Sequence, residues 1–282
     1  MPVERSLLQP AQPPEPPELP AGVAPRWPAW YAGAGFLVAL IGTLIAVGVV
    51  AAATGAGTDD EDPAFTIIAT LMQSLIFIGT AVLFASFTRR PKPWHFGLRR
   101  TAFWPALGWA ALGMVSFYLL AAIYTALVSP DAEQTVAQDL GADQCTFGLI
   151  AAGFMVICIA PFAEEFFFRG FFYRALRSRY SVIVAALIDG VLFGVIHYDF
   201  SGADALLILP PLALLGFVFC LVLEKTGSLW PVVGLHAFNN AIAYGVAVED
   251  ASVSLVLGPL MLAACMLLPR LSPPAPVPRH AA

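Results

Sequence analysis

The chain has 282 residues, of which 59% are hydrophobic and only 12% are charged. A soluble domain carries about 25% charged residues, so this chain lacks the charge to cover a water-facing surface, and an ordinary soluble enzyme is excluded. The formal net charge of −5 gives no basic surface for nucleic acid, and no nucleic-acid partner is expected.

The chain starts with a proline-rich tail at residues 1–28. This tail holds nine prolines and cannot bury a core, so we predict that it is disordered and extended. It is too long and too acidic for the n-region of a signal peptide, and the apolar run behind it is too long for an h-region. We therefore interpret that run as a first membrane span and not as a cleaved leader.

Eight apolar segments follow the tail, each close to the roughly 20 residues that a membrane-spanning helix needs. They predict an all-α, polytopic membrane helix bundle of about eight transmembrane helices, without an internal repeat of the transporter kind. The predicted organisation is N-terminal transmembrane helices at 29–145, a membrane core at 146–250, and a last helix with a short C-terminal tail at 251–282. The segments lie at about 29–53, 64–87, 102–128, 147–168, 181–198, 205–223, 229–247 and 252–269.

The placement of charged residues favours an even number of spans. If the eight segments alternate in direction, all 14 basic residues fall on one side of the membrane. The other side collects acidic residues such as Asp59, Glu133 and Asp250 and no basic ones. By the positive-inside rule, we expect both termini in the cytoplasm.

Three places carry polar side chains inside apolar segments, where an ionised residue costs about 2.5–3.5 kcal/mol. The first is Ala163–Gly170, at the end of the fourth segment. Glu165 and Arg169 are four residues apart, so they share a helical face and can form an ion pair. Glu164 lies about 100° further round the helix and is free to point into the bundle as a general base. The alternative is a charged cluster that snorkels at the membrane boundary.

The second place is Phe193–His197, in the fifth segment. A lone histidine near the end of a span is often just an interfacial residue, but the geometry of a hairpin favours a role. If the fourth and fifth segments turn near Tyr180, Glu164 lies 16 residues before the turn and His197 lies 17 after it. At about 1.5 Å per residue, both side chains lie about 24–26 Å from the turn, at the same depth.

The third place is Gly234–Asn240, in the seventh segment. His236 and Asn240 are four residues apart and share one helical face. The alternative to a functional role is that these polar groups hold helices together through hydrogen bonds.

These three places resemble the motifs of the CPBP family, also called ABI. The family comprises intramembrane proteases, including the type-2 CAAX prenyl endopeptidases, and bacteriocin-immunity proteins. The motifs are Glu-Glu-x-x-x-Arg at 164–169, Phe-x-x-x-His at 193–197 and His-x-x-x-Asn at 236–240. Their order, spacing and flanks agree, including Phe-Arg-Gly at 168–170 and Thr-Gly-Ser-Leu-Trp at 226–230.

The resemblance covers about residues 145–250 and implies hydrolysis of a peptide bond in a cavity open to the cytosol. It implies that Glu164 is the base that activates a water and that His197 helps to hold this water. It also implies that His236 and Asn240 stabilise the oxyanion of the tetrahedral intermediate. A hydrolase needs such a base, and it needs donors that point to where negative charge develops.

By the same resemblance, Glu165 and Arg169 are a structural ion pair. Members of the family are often labelled metalloproteases, and one carboxylate with two histidines would suit a catalytic zinc. The chain has no His-Glu-x-x-His helix, however, and Asn240 is a poor zinc ligand. We therefore favour a metal-independent glutamate mechanism without a cofactor and keep zinc as the alternative. The zinc ligands would be Glu164, His197 and His236.

The leading hypothesis is thus an intramembrane endopeptidase. Its expected partners are the lipid bilayer and a membrane-associated peptide or lipidated protein, and the resemblance suggests a prenylated CAAX-type substrate. Its expected location is the bacterial plasma membrane, with the active site facing the cytoplasm. The alternatives are a non-catalytic membrane scaffold or bacteriocin self-immunity protein of the same fold, and a proton-coupled transporter with Glu164 in its relay.

Overall fold

The computed structural model describes residues 27–55, 63–128, 136–198 and 204–271. Every regular element in these ranges is helical, which confirms the all-α prediction. Residues 1–26 of the proline-rich tail, which was predicted to be disordered, lie outside the described ranges. Most of the predicted C-terminal tail also lies outside them.

Each of the eight predicted segments contains a helix. In the described residues, short helical turns connect or extend these helices at Pro93–Phe96, Val136–Asp139, Asp204–Ile208 and Leu268–Leu271. A π-helical turn at Val253–Leu257 leads into the last helix. The helices are α1 (Trp30–Thr54), α2 (Pro63–Thr88), α3 (Phe103–Val128), α4 (Thr146–Arg177), α5 (Val182–Val195), α6 (Leu209–Thr226), α7 (Trp230–Ala247) and α8 (Gly258–Leu267).

Six helical stretches in the described residues are long and apolar enough to cross a membrane. They are α1 to α4, α6 with the end of the turn before it (Leu206–Thr226), and α8 with its flanking turns (Val253–Arg270). The chain is therefore a polytopic membrane protein, as its composition predicted. The other two helices differ from the expectation of eight equal spans. Helix α5 has only 14 residues, four fewer than the predicted segment at 181–198. Helix α7 has 18 residues but carries His236, Asn239 and Asn240, which lower its hydropathy.

Helix α4 runs past the end of the fourth apolar segment. The apolar segment was predicted at about 147–168, and the helix continues to Arg177, close to the hairpin turn expected near Tyr180. Residues 169–177 stay helical, and in this stretch Arg169 and Arg177 are buried in ion pairs with Glu165 and Glu224. The first polar motif therefore lies inside a long helix and not at its end.

Helix α4 occupies the middle of the bundle. Its phenylalanines Phe167, Phe168 and Phe171 are completely buried. The ring of Phe167 stacks on Phe77 of α2 with a centroid distance of 4.9 Å. Burial of several aromatic side chains on one helix contributes a large apolar area, so this packing holds the polar residues of α4 at one place in the bundle.

Helices α5 and α6 approach each other through glycines. A Cβ atom on Gly190 would lie 2.5 Å from the carbonyl oxygen of Ala213, and one on Gly194 would lie 2.9 Å from that of Leu209. Small residues at such positions let two helix backbones come close together in a membrane. The short helix α5 is thereby held against α6.

Several helix ends meet at one end of the bundle. Arg99, just before α3, donates a hydrogen bond to the carbonyl of Gly227, just after α6. Arg100 donates to the carbonyl of Pro269, at the end of the chain's last described helix, at 3.2 Å. Arg270, which follows α8, donates to the carbonyl of Thr101 at 3.3 Å. Basic residues from two separate segments therefore lie at this end, as alternating spans predict.

Candidate functional site

A cavity of about 310 Å³ opens between α2, α4, α5, α6 and α7. Its polar lining comes largely from the three sequence motifs. The four residues predicted to be catalytic all line it: Glu164, His197, His236 and Asn240.

The carboxylate of Glu164 lies between the two histidine rings. Its Oε2 atom is 3.9 Å from Nε2 of His197 and 3.8 Å from Nε2 of His236. The structure thus places Glu164 and His197 at the same depth, as the hairpin geometry predicted. Among the described residues, this Oε2 atom is buried and has no hydrogen-bond partner. A buried carboxylate oxygen of this kind is available for chemistry in the cavity.

The hydrogen bonds on the far side of each ring assign the histidine tautomers. Nδ1 of His197 lies 2.7 Å from the carbonyl oxygen of Phe193, and Nδ1 of His236 lies 2.8 Å from Oε1 of Glu165. Carbonyl and carboxylate oxygens accept, so both Nδ1 atoms carry the hydrogen. In a neutral ring with its hydrogen on Nδ1, Nε2 is an acceptor. Three acceptor atoms then face one another in the cavity, namely Oε2 of Glu164 and Nε2 of His197 and of His236.

Behind His236 lies a completely buried ionic cluster. Nη1 of Arg169 is 2.9 Å from Oε1 of Glu165, so the ion pair expected from the spacing is present. Nε of Arg169 is also 3.3 Å from Oδ1 of Asp189, and none of the three side chains has any exposure. The guanidinium lies 4.3 Å from the centroid of the Phe193 ring. The cluster therefore anchors Glu165, which in turn orients His236.

Asp189 was missed by the sequence reasoning, although the sequence contains a signal for it. It is the one acidic residue in the fifth apolar segment, and it lies four residues before Phe193 and eight before His197. That spacing puts all three on one helical face. Cys220 of α6 donates its S–H to Oδ1 of Asp189 at 3.2 Å, so Asp189 has partners on two helices.

A π-helical turn in α4 positions Asn240. The turn at Met155–Ile159 directs the N–H of Ala160 to the carbonyl of Met155, five residues earlier. The next acceptor in this pattern is the carbonyl of Val156, but Pro161 has no N–H to donate. Nδ2 of Asn240 fills this place and donates to Val156 O at 2.9 Å. Such π turns are frequent at functional sites.

We tested whether the residues fit a zinc ion. Zinc binds histidine nitrogen and carboxylate oxygen at about 2.0–2.2 Å, and its histidine ligands usually donate their other N–H to a carboxylate or a carbonyl. The chemistry of the donors at Glu164, His197 and His236 suits zinc in both respects. In the described part of the chain, however, no three His, Cys, Asp or Glu side chains come together closely enough to hold a metal ion.

The fold and the cavity define a polytopic membrane protein with a glutamate–histidine site inside the bundle. Residues 146–242 match the family model described as type II CAAX prenyl endopeptidase Rce1-like. This match confirms the family resemblance that the motifs indicated. All four predicted catalytic residues lie in the matched range.

One curated relative, the uncharacterised protein YyaK of Bacillus subtilis (strain 168), is 30% identical over 149 residues. The similarity covers 51% of this chain and 49% of YyaK, so the chain spans about half the length of the relative that it matches. No solved structure matches the chain significantly.

Proposed function

We propose that the protein is an intramembrane endopeptidase that hydrolyses a peptide bond in a membrane-associated substrate. The observation that carries the proposal is the position of Glu164, whose unpaired carboxylate oxygen faces two histidine Nε2 atoms in a cavity of the membrane bundle. The match to an endopeptidase family over the same residues supports this assignment.

In the proposed reaction, a water molecule donates one hydrogen to Glu164 and the other to Nε2 of His197. Glu164 takes the first proton as the water oxygen attacks the carbonyl carbon of the scissile bond. The same proton is then given to the leaving amine as the C–N bond breaks. A well-placed general base of this kind contributes about 10²- to 10⁴-fold to the rate.

The oxyanion of the tetrahedral intermediate needs hydrogen-bond donors. Asn240 uses one of its two amide hydrogens on Val156 O, and we assign the second to the oxyanion. His236 donates from Nε2 only when the ring is doubly protonated, because its Nδ1–H is held by Glu165. Removal of one such donor costs about 10²- to 10³-fold in turnover.

Our proposal needs no metal, and zinc is its alternative. A zinc ion held by Glu164, His197 and His236 would supply a polarised water at neutral pH. If the metal-free mechanism is right, the purified protein keeps its full activity in the presence of a chelator. Loss of activity that is restored by added zinc would replace it with the zinc mechanism.

The proposed substrate is a membrane-associated peptide or a lipidated protein, and the name of the matched family suggests a prenylated CAAX-type substrate. We also propose the bacterial plasma membrane as the location, with the cavity open to the cytoplasm. The basic residues Arg99, Arg100 and Arg270, which come from two separate segments and lie at one end of the bundle, support this orientation.

Cleavage of a quenched fluorescent peptide library by protein in detergent tests the proposal. The wild type should cleave, and Glu164→Gln should lose at least about 10²-fold in turnover while remaining folded. Glu249→Gln is the matched control, because it makes the same substitution at an exposed glutamate. Glu249 does not line the cavity, so this variant should cleave normally. Retained turnover in Glu164→Gln would contradict the mechanism, whereas a wild type that cleaves no peptide would favour the scaffold or immunity alternative.

A further inference from the structure

We propose that Tyr118 and Asn239 are positioning residues for Asn240 and that they hold its amide in the orientation needed to bind the oxyanion. This inference rests on the proposed function. It brings helix α3 into the reaction, although α3 lies outside the segment that matches the endopeptidase family.

Three side-chain hydrogen bonds form a chain from α3 to α4. The hydroxyl of Tyr118 donates to Oδ1 of Asn239 at 3.1 Å. Nδ2 of Asn239 donates to Oδ1 of Asn240 at 3.4 Å. Nδ2 of Asn240 then donates to Val156 O at 2.9 Å.

The direction of this chain is determined at its α4 end. A backbone carbonyl can only accept, so Val156 O requires Nδ2 of Asn240 on its side. Oδ1 of Asn240 must then face Asn239 and accept from its Nδ2. This leaves Oδ1 of Asn239 facing α3, where the Tyr118 hydroxyl is the donor that it meets. Each amide thus has a defined orientation: a flip of Asn240 would break both of its bonds, and a flip of Asn239 would break its bond to Asn240.

The membrane environment makes the Tyr118 bond hard to replace. The ring of Tyr118 is 37% exposed on the surface of the bundle. It lines an apolar groove of about 540 Å³ with residues such as Leu119 and Phe238. The apolar groove offers the hydroxyl no polar partner on that side, so the hydroxyl makes its hydrogen bond with Asn239. The Tyr118 hydroxyl therefore stays on Asn239.

The consequence concerns the second amide hydrogen of Asn240. With Oδ1 held by Asn239 and one hydrogen held by Val156 O, the amide plane cannot rotate, and the second hydrogen points in one direction only. We infer that this direction is the position of the oxyanion. Without the Tyr118 hydroxyl, Asn239 can turn away and Asn240 loses one of its two restraints.

The kinetic test compares Tyr118→Phe with a matched control on the same helix. Tyr124 also donates its hydroxyl to a partner in another element, the carbonyl of Leu207, at 2.9 Å. Tyr118→Phe should lower kcat about tenfold, which corresponds to the net contribution of one hydrogen bond, and should leave KM within about twofold. Tyr124→Phe should leave kcat unchanged. In an Asn240→Ala background, Tyr118→Phe should cause no further loss, because the group that it orients is gone.

A second readout does not depend on cleavage. In protein labelled with ¹⁵N-asparagine, the side-chain amide signal of Asn240 is identified by its absence from Asn240→Ala. This signal should move in Tyr118→Phe and stay in place in Tyr124→Phe.

The two readouts separate the two proposals. Suppose that the wild type cleaves. If Tyr118→Phe then leaves kcat unchanged, or lowers it in the Asn240→Ala background as much as in the wild type, the positioning role alone is overturned. An unmoved amide signal would overturn it as well. A wild type that cleaves no peptide, together with a moved amide signal, would contradict the peptidase and uphold the hydrogen-bond chain.

Discussion

Replacement of Arg169 by methionine should strongly destabilise the protein. Arg169 is completely buried and forms ion pairs with Glu165 at 2.9 Å and with Asp189 at 3.3 Å. Methionine has a similar length but no charge, so the variant leaves two buried carboxylates close together without a cation. Removal of one partner from a buried ion pair costs about 3–5 kcal/mol, and here two pairs are lost. The contact of the guanidinium with the Phe193 ring adds about 0.5–2 kcal/mol.

Thermal and SDS-induced unfolding in detergent would measure this loss. Arg179→Met is the control, since Arg179 is exposed and its replacement should change stability by less than about 0.5 kcal/mol. A variant that combines Arg169→Met with Glu165→Gln and Asp189→Asn should recover most of the loss, because no buried charge is then unpaired. Equal unfolding of Arg169→Met and Arg179→Met would refute the reasoning, and absence of recovery would show that charge is not the cause.

Two further predictions concern helix packing and a loop. Gly190→Ala would place a Cβ atom 2.5 Å from the carbonyl oxygen of Ala213 and should lower the free energy of unfolding by about 1–3 kcal/mol. The control Gly33→Ala has nothing within 4 Å of the new Cβ and should be neutral or slightly stabilising. Equal stability of the two variants would contradict the close packing of α5 and α6. Burial and nearby cations lower the pKa of His95 from 6.5 to about 4, and the neutral ring accepts a hydrogen bond from the N–H of Lys92 at 3.0 Å. The stabilisation that the neutral ring provides should therefore be fully present above about pH 6.5 and be lost as the pH falls through about 4. His95→Asn keeps a hydrogen-bond acceptor but does not titrate, so its unfolding curves across that range should show a weaker pH dependence. An unchanged dependence of stability on pH would contradict the prediction.

The sequence was sufficient to locate the helices and to bring Glu164 and His197 together. Both results depend on local quantities, namely the length of apolar runs and the rise per residue of a helix. The apolar run of α4 stops at residue 168, but the helical rise used for the hairpin already extended the helix to a turn near Tyr180, and the helix does continue to Arg177. The sequence did not reveal the partner of Arg177, which is Glu224 of α6.

The side chains that support the site were harder to predict. The partnership of Asp189 with Arg169 joins two helices, and no spacing along one helix reveals it. The same is true of Tyr118, which lies 121 residues before Asn239 in the chain. Asn240 donates to the carbonyl of Val156, which is left without a backbone donor because Pro161, just after the π-helical turn, has no N–H. Residues that act through tertiary contacts need the packed structure to be recognised.

Cleavage in ¹⁸O-labelled water tests the central claim most directly. Wild-type protein and Glu164→Gln are incubated with the same peptides, and the products are examined by mass spectrometry. If Glu164 activates the attacking water, the wild type yields fragments with one ¹⁸O in the new carboxyl group and Glu164→Gln yields none above background. Labelled fragments formed by Glu164→Gln at the wild-type rate would contradict the account.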